Sequence, residues 1–263
     1  MRRGIKLVSI VIRTRNIETH LFHLLRKLSC QTVKPSEIII VDNFSSKKKL
    51  KKLKNALSIA REKYFDNQIS IKLIPIRDSE FSHPFSTNIG VSAANNELIC
   101  ITNGHALPTS VFWLTSGIKH FSKPNIAGVS GYFIPHKEGC LWEKIAYGIV
   151  WAKFNEMRNA HLTDEYFSTI NCIIRKSLWE EYPFDENLLK ILPETKMYGG
   201  EDYDWAREMI ARGNKVVVEP RFNVLHSHGH KLPEIVTRNW TWYKIQRKID
   251  IFKRPRTSHS ICQ

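Results

Sequence analysis

Between residues 7 and 134 the hydrophobic pattern switches repeatedly between two periods. Short runs rich in Val and Ile alternate with longer stretches in which apolar residues recur every three or four positions. A two-residue period buries strand faces and a 3.6-residue period buries one helix face, so this alternation predicts βαβ units building a mostly parallel sheet. Strands are expected at 7–12, 37–42, 70–75, 97–102 and 126–134. Helices are expected near 17–30, 46–65, 85–95 and 109–121, with Ser46 and Thr109 as N-caps. After residue 136 the pattern changes to an aromatic-rich stretch at 141–155, a strand over 169–175, a helix near 199–212 and a strand over 215–219. Pro233 then opens a helix, 234–252, carrying Trp240, Trp242 and Tyr243 among Arg238, Lys244, Arg247 and Lys248. The expected division is 1–135 and 136–232 as two halves of one unit, followed by a helical tail over 233–263.

Composition narrows this picture. A chain of 263 residues with 42% hydrophobic residues can bury a sizeable core. Its five cysteines form no CxxC pair, which points to a reducing compartment rather than a disulfide framework. The opening Met1-Arg2-Arg3-Gly4-Ile5-Lys6 has the charge of a signal peptide, but the apolar run that follows is short and ends at Arg13, so no secretion is expected. The apolar run 145–152 is far below the roughly 18 residues a spanning helix needs. A cytoplasmic protein is expected, peripheral at the inner face of the membrane.

Forty Lys and Arg against 25 Asp and Glu leave a net charge of +15, enough to attract polyanions whatever the fold. The densest concentration, Lys47-Lys48-Lys49-Leu50-Lys51-Lys52-Leu53-Lys54, reads either as an anion-seeking surface or as the solvated face of a helix whose other face carries Leu50, Leu53 and Leu57.

In an open α/β sheet, ligands bind beyond the carboxyl ends of the strands. Three polar clusters fall there: Arg13-Thr14-Arg15-Asn16, Asp42-Asn43-Phe44-Ser45-Ser46 and Thr102-Asn103-Gly104-His105. Neither GxGxxG nor GxxxxGK[ST] follows a strand, so a nucleotide would be held without the usual glycine-rich cradles. Asp42 could accept hydrogen bonds from a base edge or cap the next helix. Gly199-Gly200-Glu201-Asp202-Tyr203-Asp204 opens a helix with three carboxylates in four positions, and the Glu201-Asp202 pair is a general-base candidate. His226, His228 and His230 alternate just past a predicted strand, a metal or phosphate contact if His105 lies close and a polar loop otherwise.

These blocks together resemble the inverting family 2 glycosyltransferases with a GT-A fold, in particular the bacterial rhamnosyltransferase-like group. The resemblance runs from Val8 to about His228. It rests on the ordered occurrence of Val8 through Asn16, Glu37 through Ser46, Phe81 through Gly90, Ala93 through Ile99, Asn171 through Trp179, Pro183-Phe184-Asp185-Glu186, Gly200 through Ala206 and Glu219 through His228. It implies a Rossmann-like GT-A sheet flanked by helices, with an acceptor-side part and a basic aromatic terminal helix. It also implies a nucleotide-diphosphate sugar donor and a glycan or lipid-linked acceptor. Asp202 would be the catalytic base, with Glu201 orienting it or holding the acceptor. Thr14, Arg15, Asn16, Asp42, Asn88 and Asn103 would contact the nucleotide sugar, and His226 would reach a metal or the diphosphate.

The sequence departs from the family in one place. Where these enzymes carry Asp-x-Asp, this chain has Asn103-Gly104-His105. An imidazole favours later first-row metals over magnesium. The expectation is therefore Mn2+ rather than Mg2+, held through His105 and His226, or metal-independent transfer. A catalytically degenerate scaffold and a basic nucleic-acid-binding protein are the rival readings. The second leaves the ordered blocks unexplained, and no nucleic-acid partner is expected. The aromatic stretch 141–155 and the terminal helix are either packed core or contacts to an anionic membrane surface.

Overall fold

A computed structural model describes residues 7–15, 20–43, 46–137, 139–147, 161–162 and 167–253. Asn16, Phe44, Ser45, residues 148–155 of the expected 141–155 stretch and Cys262 lie outside the described residues. The first half of the chain alternates as its pattern predicts: β1 (Val8–Arg15), α1 (Leu21–Ser29), β2 (Glu37–Asn43), α2 (Lys47–Phe65), β3 (Ser70–Ile76), α3 (His83–Ser92) and β4 (Leu98–Asn103). Then come β5 (Leu107–Pro108), α4 (Trp113–Ile118), β6 (Ile126–Ser130), β7 (Phe133–Ile134) and a helical stretch, α5, over 141–147. The second half adds β8 (His161–Leu162), β9 (Asn171–Arg175), α6 (Lys176–Glu181), α7 (Leu188–Ile191), α8 (Thr195–Tyr198), α9 (Glu201–Ala211), β10 (Lys215–Val218), β11 (Val224–Leu225) and α10 (Leu232–Phe252).

The main sheet has the order β3-β2-β1-β4-β9-β6-β10-β8. Its first four strands are parallel, β9 is antiparallel to both of its neighbours, and β10 runs parallel to β6. Helices cover both faces, giving one apolar layer around Leu24, Leu28, Trp113 and Phe222 and another around Val11, Val91, Trp179 and Trp205. Strands β1 and β2 are buried on both faces, which is why their sequences run VSIVI and EIIIV rather than alternating. Helix α3 lies so close to them that a Cβ on Gly90 would stand 2.3 Å from Val11 Cγ1. Any larger residue there would push the helix off the sheet.

At the amino ends of β1 and β2 a buried polar cluster ties the strands together. Glu37 accepts hydrogen bonds from Ser9 Oγ at 2.6 Å, from the Asn95 backbone at 2.6 Å and from the Asn95 side chain at 2.8 Å. Asn96 bridges to Ser9 and Ser36, each at 2.8 Å. Part of the Ala93 through Ile99 block is thus accounted for by scaffolding at the end of the sheet opposite the strand ends where ligands bind.

Two local expectations are corrected. The run 126–134 is not one strand: it breaks at Gly131, whose missing Cβ lets Phe222 O approach to within 1.5 Å of where that atom would stand. Thr109 caps no helix. Its hydroxyl donates to Asn223 O at 3.1 Å, and the helix begins later, with Trp113. Ser46 does cap α2, accepting from Lys49 N at 3.4 Å.

Candidate active site

The described residues of the three polar clusters meet along one rim because β1, β2 and β4 are adjacent and in register. Thr14 pairs with Asp42, and Arg13 with Asn103. Thr14 and Asp42 are buried there. Asn43, one residue on, is also buried, and its amide oxygen and nitrogen have no hydrogen-bond partner among the described residues. Arg15 instead points outward to Asp78, 3.8 Å away. Asn88 is drawn off the rim: its amide donates to Phe184 O and Glu186, each at 2.8 Å, and accepts from Trp179 Nε1 at 2.9 Å.

Arg13 organises the centre of the rim. Its guanidinium donates to Thr87 Oγ1 at 3.0 Å, to Asn103 Oδ1 at 3.1 Å and to Thr169 O and Oγ1 at 3.1 Å each. It stands 3.9 Å from Glu201 Oε1, with both side chains almost wholly buried. The Asn103 amide oxygen is therefore an acceptor for a buried internal cation.

The acidic pair enters from α9. Gly199 and Gly200 adopt φ of 76° and 129°, conformations that exclude ordinary side chains, and a Cβ on Gly200 would stand 2.9 Å from Ile245 Cγ2 of α10. This turn swings the first residues of α9 inward, so Glu201 and Asp202 are buried rather than solvated. Asp202 accepts from Tyr203 N at 2.9 Å and Thr169 N at 3.3 Å, and Thr169 Oγ1 donates to Glu201 at 3.4 Å. Burial first, and the neighbouring Glu201 charge second, push the Asp202 carboxyl above the ordinary carboxylate range. Burial raises Glu201 too, against the opposing pull of Arg13. Asp204 belongs elsewhere, bonded to Lys253 at 2.6 Å and Tyr182 at 3.0 Å.

The histidines are assembled by the small sheet β5-β11-β7. Antiparallel pairing of Leu107 with Leu225 and Pro108 with Val224 brings the residues just before β5 opposite those just after β11. His105 and His226 consequently stack, ring centroids 4.6 Å apart, and His228 packs edge-on against His226 at 4.6 Å. One ring nitrogen from each of the three lies within 4.8 Å of the others. His226 is buried, and its Nε2 has no hydrogen-bond partner among the described residues. Burial, then the charges of His105 and His228, hold it well below the usual histidine range, and similar influences bring His228 down to about 4. Neutral imidazoles at pH 7 are the form that binds a metal ion, so the donor set fits a divalent cation of the later first row.

Glu143 of α5 fixes this loop from behind. Its Oε1 accepts from the backbone of His228 at 3.1 Å and His230 at 2.9 Å, and stands 3.4 Å from His230 Nδ1. Burial pushes the carboxyl up, but those backbone donors outweigh it and hold it below its ordinary value. His230 thus faces Glu143, while His226 and His228 join His105.

Sequence reasoning gave no site role to Thr169, His83, Glu143 or Arg238, and placed Arg13 only within a strand-end cluster. His83 is brought down to about 4 by burial and then by the Arg13 charge, with Asp202 opposing. Arg238, stacked 5.4 Å over the Tyr198 ring, places its charge near His83, His226 and His228. Arg13 was visible as a strand-end cation and His83 as part of the Phe81 through Gly90 block. Glu143 and Arg238 carried no local signal, because their roles depend on which loop folds against them.

Comparison with known proteins sets this geometry in context. No protein-family model matches the chain, and no curated protein sequence matches it. Solved structures do. A mannosyltransferase from Pyrobaculum calidifontis, determined with GDP-Man and Mn2+, is similar over 95% of this chain and 65% of its own, with TM-score 0.65 and 14% identity. GalNAc-T7, determined with UDP, GalNAc and Mn2+, matches over 86% of this chain and 44% of its own, with TM-score 0.63 and 17% identity. S. aureus TarS 1-349 matches over 93% and 64%, with TM-score 0.60 and 14% identity. The chain spans less than two thirds of the length of these structures. The architecture is that of the GT-A glycosyltransferases: a central, mostly parallel sheet flanked by helices.

Proposed function

We propose that this protein is an inverting glycosyltransferase of the family 2, rhamnosyltransferase-like type, moving a sugar from a nucleoside-diphosphate donor to a hydroxyl of a glycan or lipid-linked acceptor. The observation that carries the reading is the continuous hydrogen-bonded path Asn103–Arg13–Thr169–Asp202. It joins the rim where a GT-A enzyme holds its donor to a buried carboxylate able to serve as base. The fold neighbours are transferases whose structures contain nucleotide-sugar donors, which supports the same donor class here.

In this reading the acceptor hydroxyl oxygen attacks the anomeric carbon as the bond to the diphosphate oxygen breaks. The hydroxyl proton passes to Asp202, and the bonding pair leaves with the nucleoside diphosphate. A carboxylate raised by burial is a stronger base than a solvated one, and the Tyr203 and Thr169 N–H groups fix its direction. Glu201 balances Arg13 at the centre of the site. Asp42 and Asn43 present buried polar groups for the nucleobase and Thr14 lies beside them, while Arg238 offers a positive charge to the diphosphate. His105, His226 and His228 would hold a divalent cation, which when bound would neutralise negative charge developing on the leaving group.

The test is a thermal-shift panel of UDP, GDP, dTDP and CMP, each with Mn2+, Mg2+ or chelator, followed by a transfer assay with the stabilising donor. Stabilisation by one nucleotide, reduced by chelator and by His105→Ala, supports the reading. No response to any nucleotide points to a scaffold.

A further inference from the structure

Helix α10 is apolar on two faces. One face buries Ile235, and its Ile245 and Ile249 pack against Leu188, Leu192 and Tyr203 beside the Gly200 turn. The helix is held there by Lys253 to Asp185 at 2.7 Å and Asp204 at 2.6 Å, and by Arg207 to Asp250 at 3.0 Å. The opposite face carries Leu232, Val236, Trp240, Tyr243 and Ile251, each between 42% and 67% exposed. Spacings of four, four, three and eight residues align them in one stripe along the full helix. A helix that needed only to cover the core would carry polar residues there.

The charges beside the stripe indicate what covers it. Arg247 lies within it and Lys244 on its border, 5.3 Å over the Trp240 ring, and both are exposed. The acids of α10 are engaged: Glu234 accepts from Lys231 N at 2.7 Å, and Asp250 from Tyr203 at 3.0 Å and Arg207. A second copy meeting this face across a two-fold axis would bring a basic stripe against a basic stripe. An anionic bilayer surface satisfies both components, because Trp and Tyr sit at the headgroup level and Lys and Arg pair with acidic lipid.

We infer that the outer face of α10 is a docking surface for an anionic membrane, with Trp240 and Tyr243 in the interface and Lys244 and Arg247 against the headgroups. Docking is peripheral, since no helix among the described residues is long and apolar enough to cross a bilayer. The inference does not depend on the transferase reading. If the latter holds, the same helix connects the membrane on one side to the Gly200 turn on the other.

The experiment is cosedimentation of the full chain with phosphatidylcholine vesicles, with and without phosphatidylglycerol. It compares wild type with Trp240→Glu/Tyr243→Glu, with Arg247→Glu alone and with Lys51→Glu/Lys52→Glu on α2. Circular dichroism checks folding, and light scattering gives oligomeric state. The expected result is binding to phosphatidylglycerol vesicles only, reduced about tenfold or more in the α10 double variant, several-fold in Arg247→Glu and least in the α2 variant. Three results would overturn the inference. The first is equal binding to both vesicle types or to neither. The second is undiminished binding by the folded α10 variants. The third is a wild-type dimer that the α10 substitutions dissociate, which would assign the stripe to a second copy.

Discussion

The acidic corner and the histidine cluster are built on opposite principles. Glu201 and Asp202 are charged groups forced into the interior, held by Thr169, Tyr203 and Arg13, and raised by burial toward their protonated forms. The histidines are imidazoles placed by backbone bonds, His226 to Ile134 O and His228 and His230 to Glu143, and His226 keeps a ring nitrogen unused among the described residues. One region stores a basic site at a cost to stability. The other presents a set of soft donors whose geometry is fixed without consuming them. The carboxylates gather at the start of α9, and the imidazoles gather beside the small sheet.

Substitutions can separate the two regions. Asp202→Asn should have the largest effect, lowering turnover by about 10³-fold or more while nucleotide-induced thermal shifts persist. Retained transfer would exclude Asp202 as base. His226→Ala should weaken Mn2+ or Zn2+ binding about 10–100-fold by calorimetry, with Asp202 chemistry lost only in proportion to metal occupancy. Equal transfer by wild type and variant in chelator and in metal would remove the histidine cluster from the mechanism. Glu143→Gln, outside the ligand set, should cost about tenfold in metal affinity by loosening the 228–230 backbone. An unchanged affinity would show the loop to be rigid without it.

The smallest effect concerns stability and pH. A carboxyl raised in the fold contributes stability that is fully present below its unfolded pKa and is lost as pH rises through its folded one. Asn cannot ionise, so it escapes that loss. Asp202→Asn should therefore match wild type in acid and melt about 2–4 °C higher at neutral pH. A lower melting temperature at neutral pH would mean that the hydrogen bonds to the carboxylate outweigh its burial.

Much of this was legible in the sequence. The strand–helix alternation through β4 followed directly from hydrophobic period, and the pairing of Thr14 with Asp42 and of Arg13 with Asn103 followed from parallel strands ending together. The carboxylates at Glu201 and Asp202 were marked by the preceding glycines. What was hidden depended on contacts between distant segments. Nothing near Glu143 announces that its carboxylate receives the backbone of residues 228–230. Nothing near Gly131 announces Phe222, so the break between β6 and β7 was missed. Thr109 had the chemistry of a cap, but Asn223 took its hydroxyl.

The small sheet β5-β11-β7 has a kinetic consequence. It is what closes the distance between His105 and His226, separated by about 120 residues of chain, so the histidine cluster cannot assemble until that long loop has paid its closure entropy. Any ion bound there is sensed by the native state alone. It would act as a late clasp, slowing unfolding far more than it speeds folding.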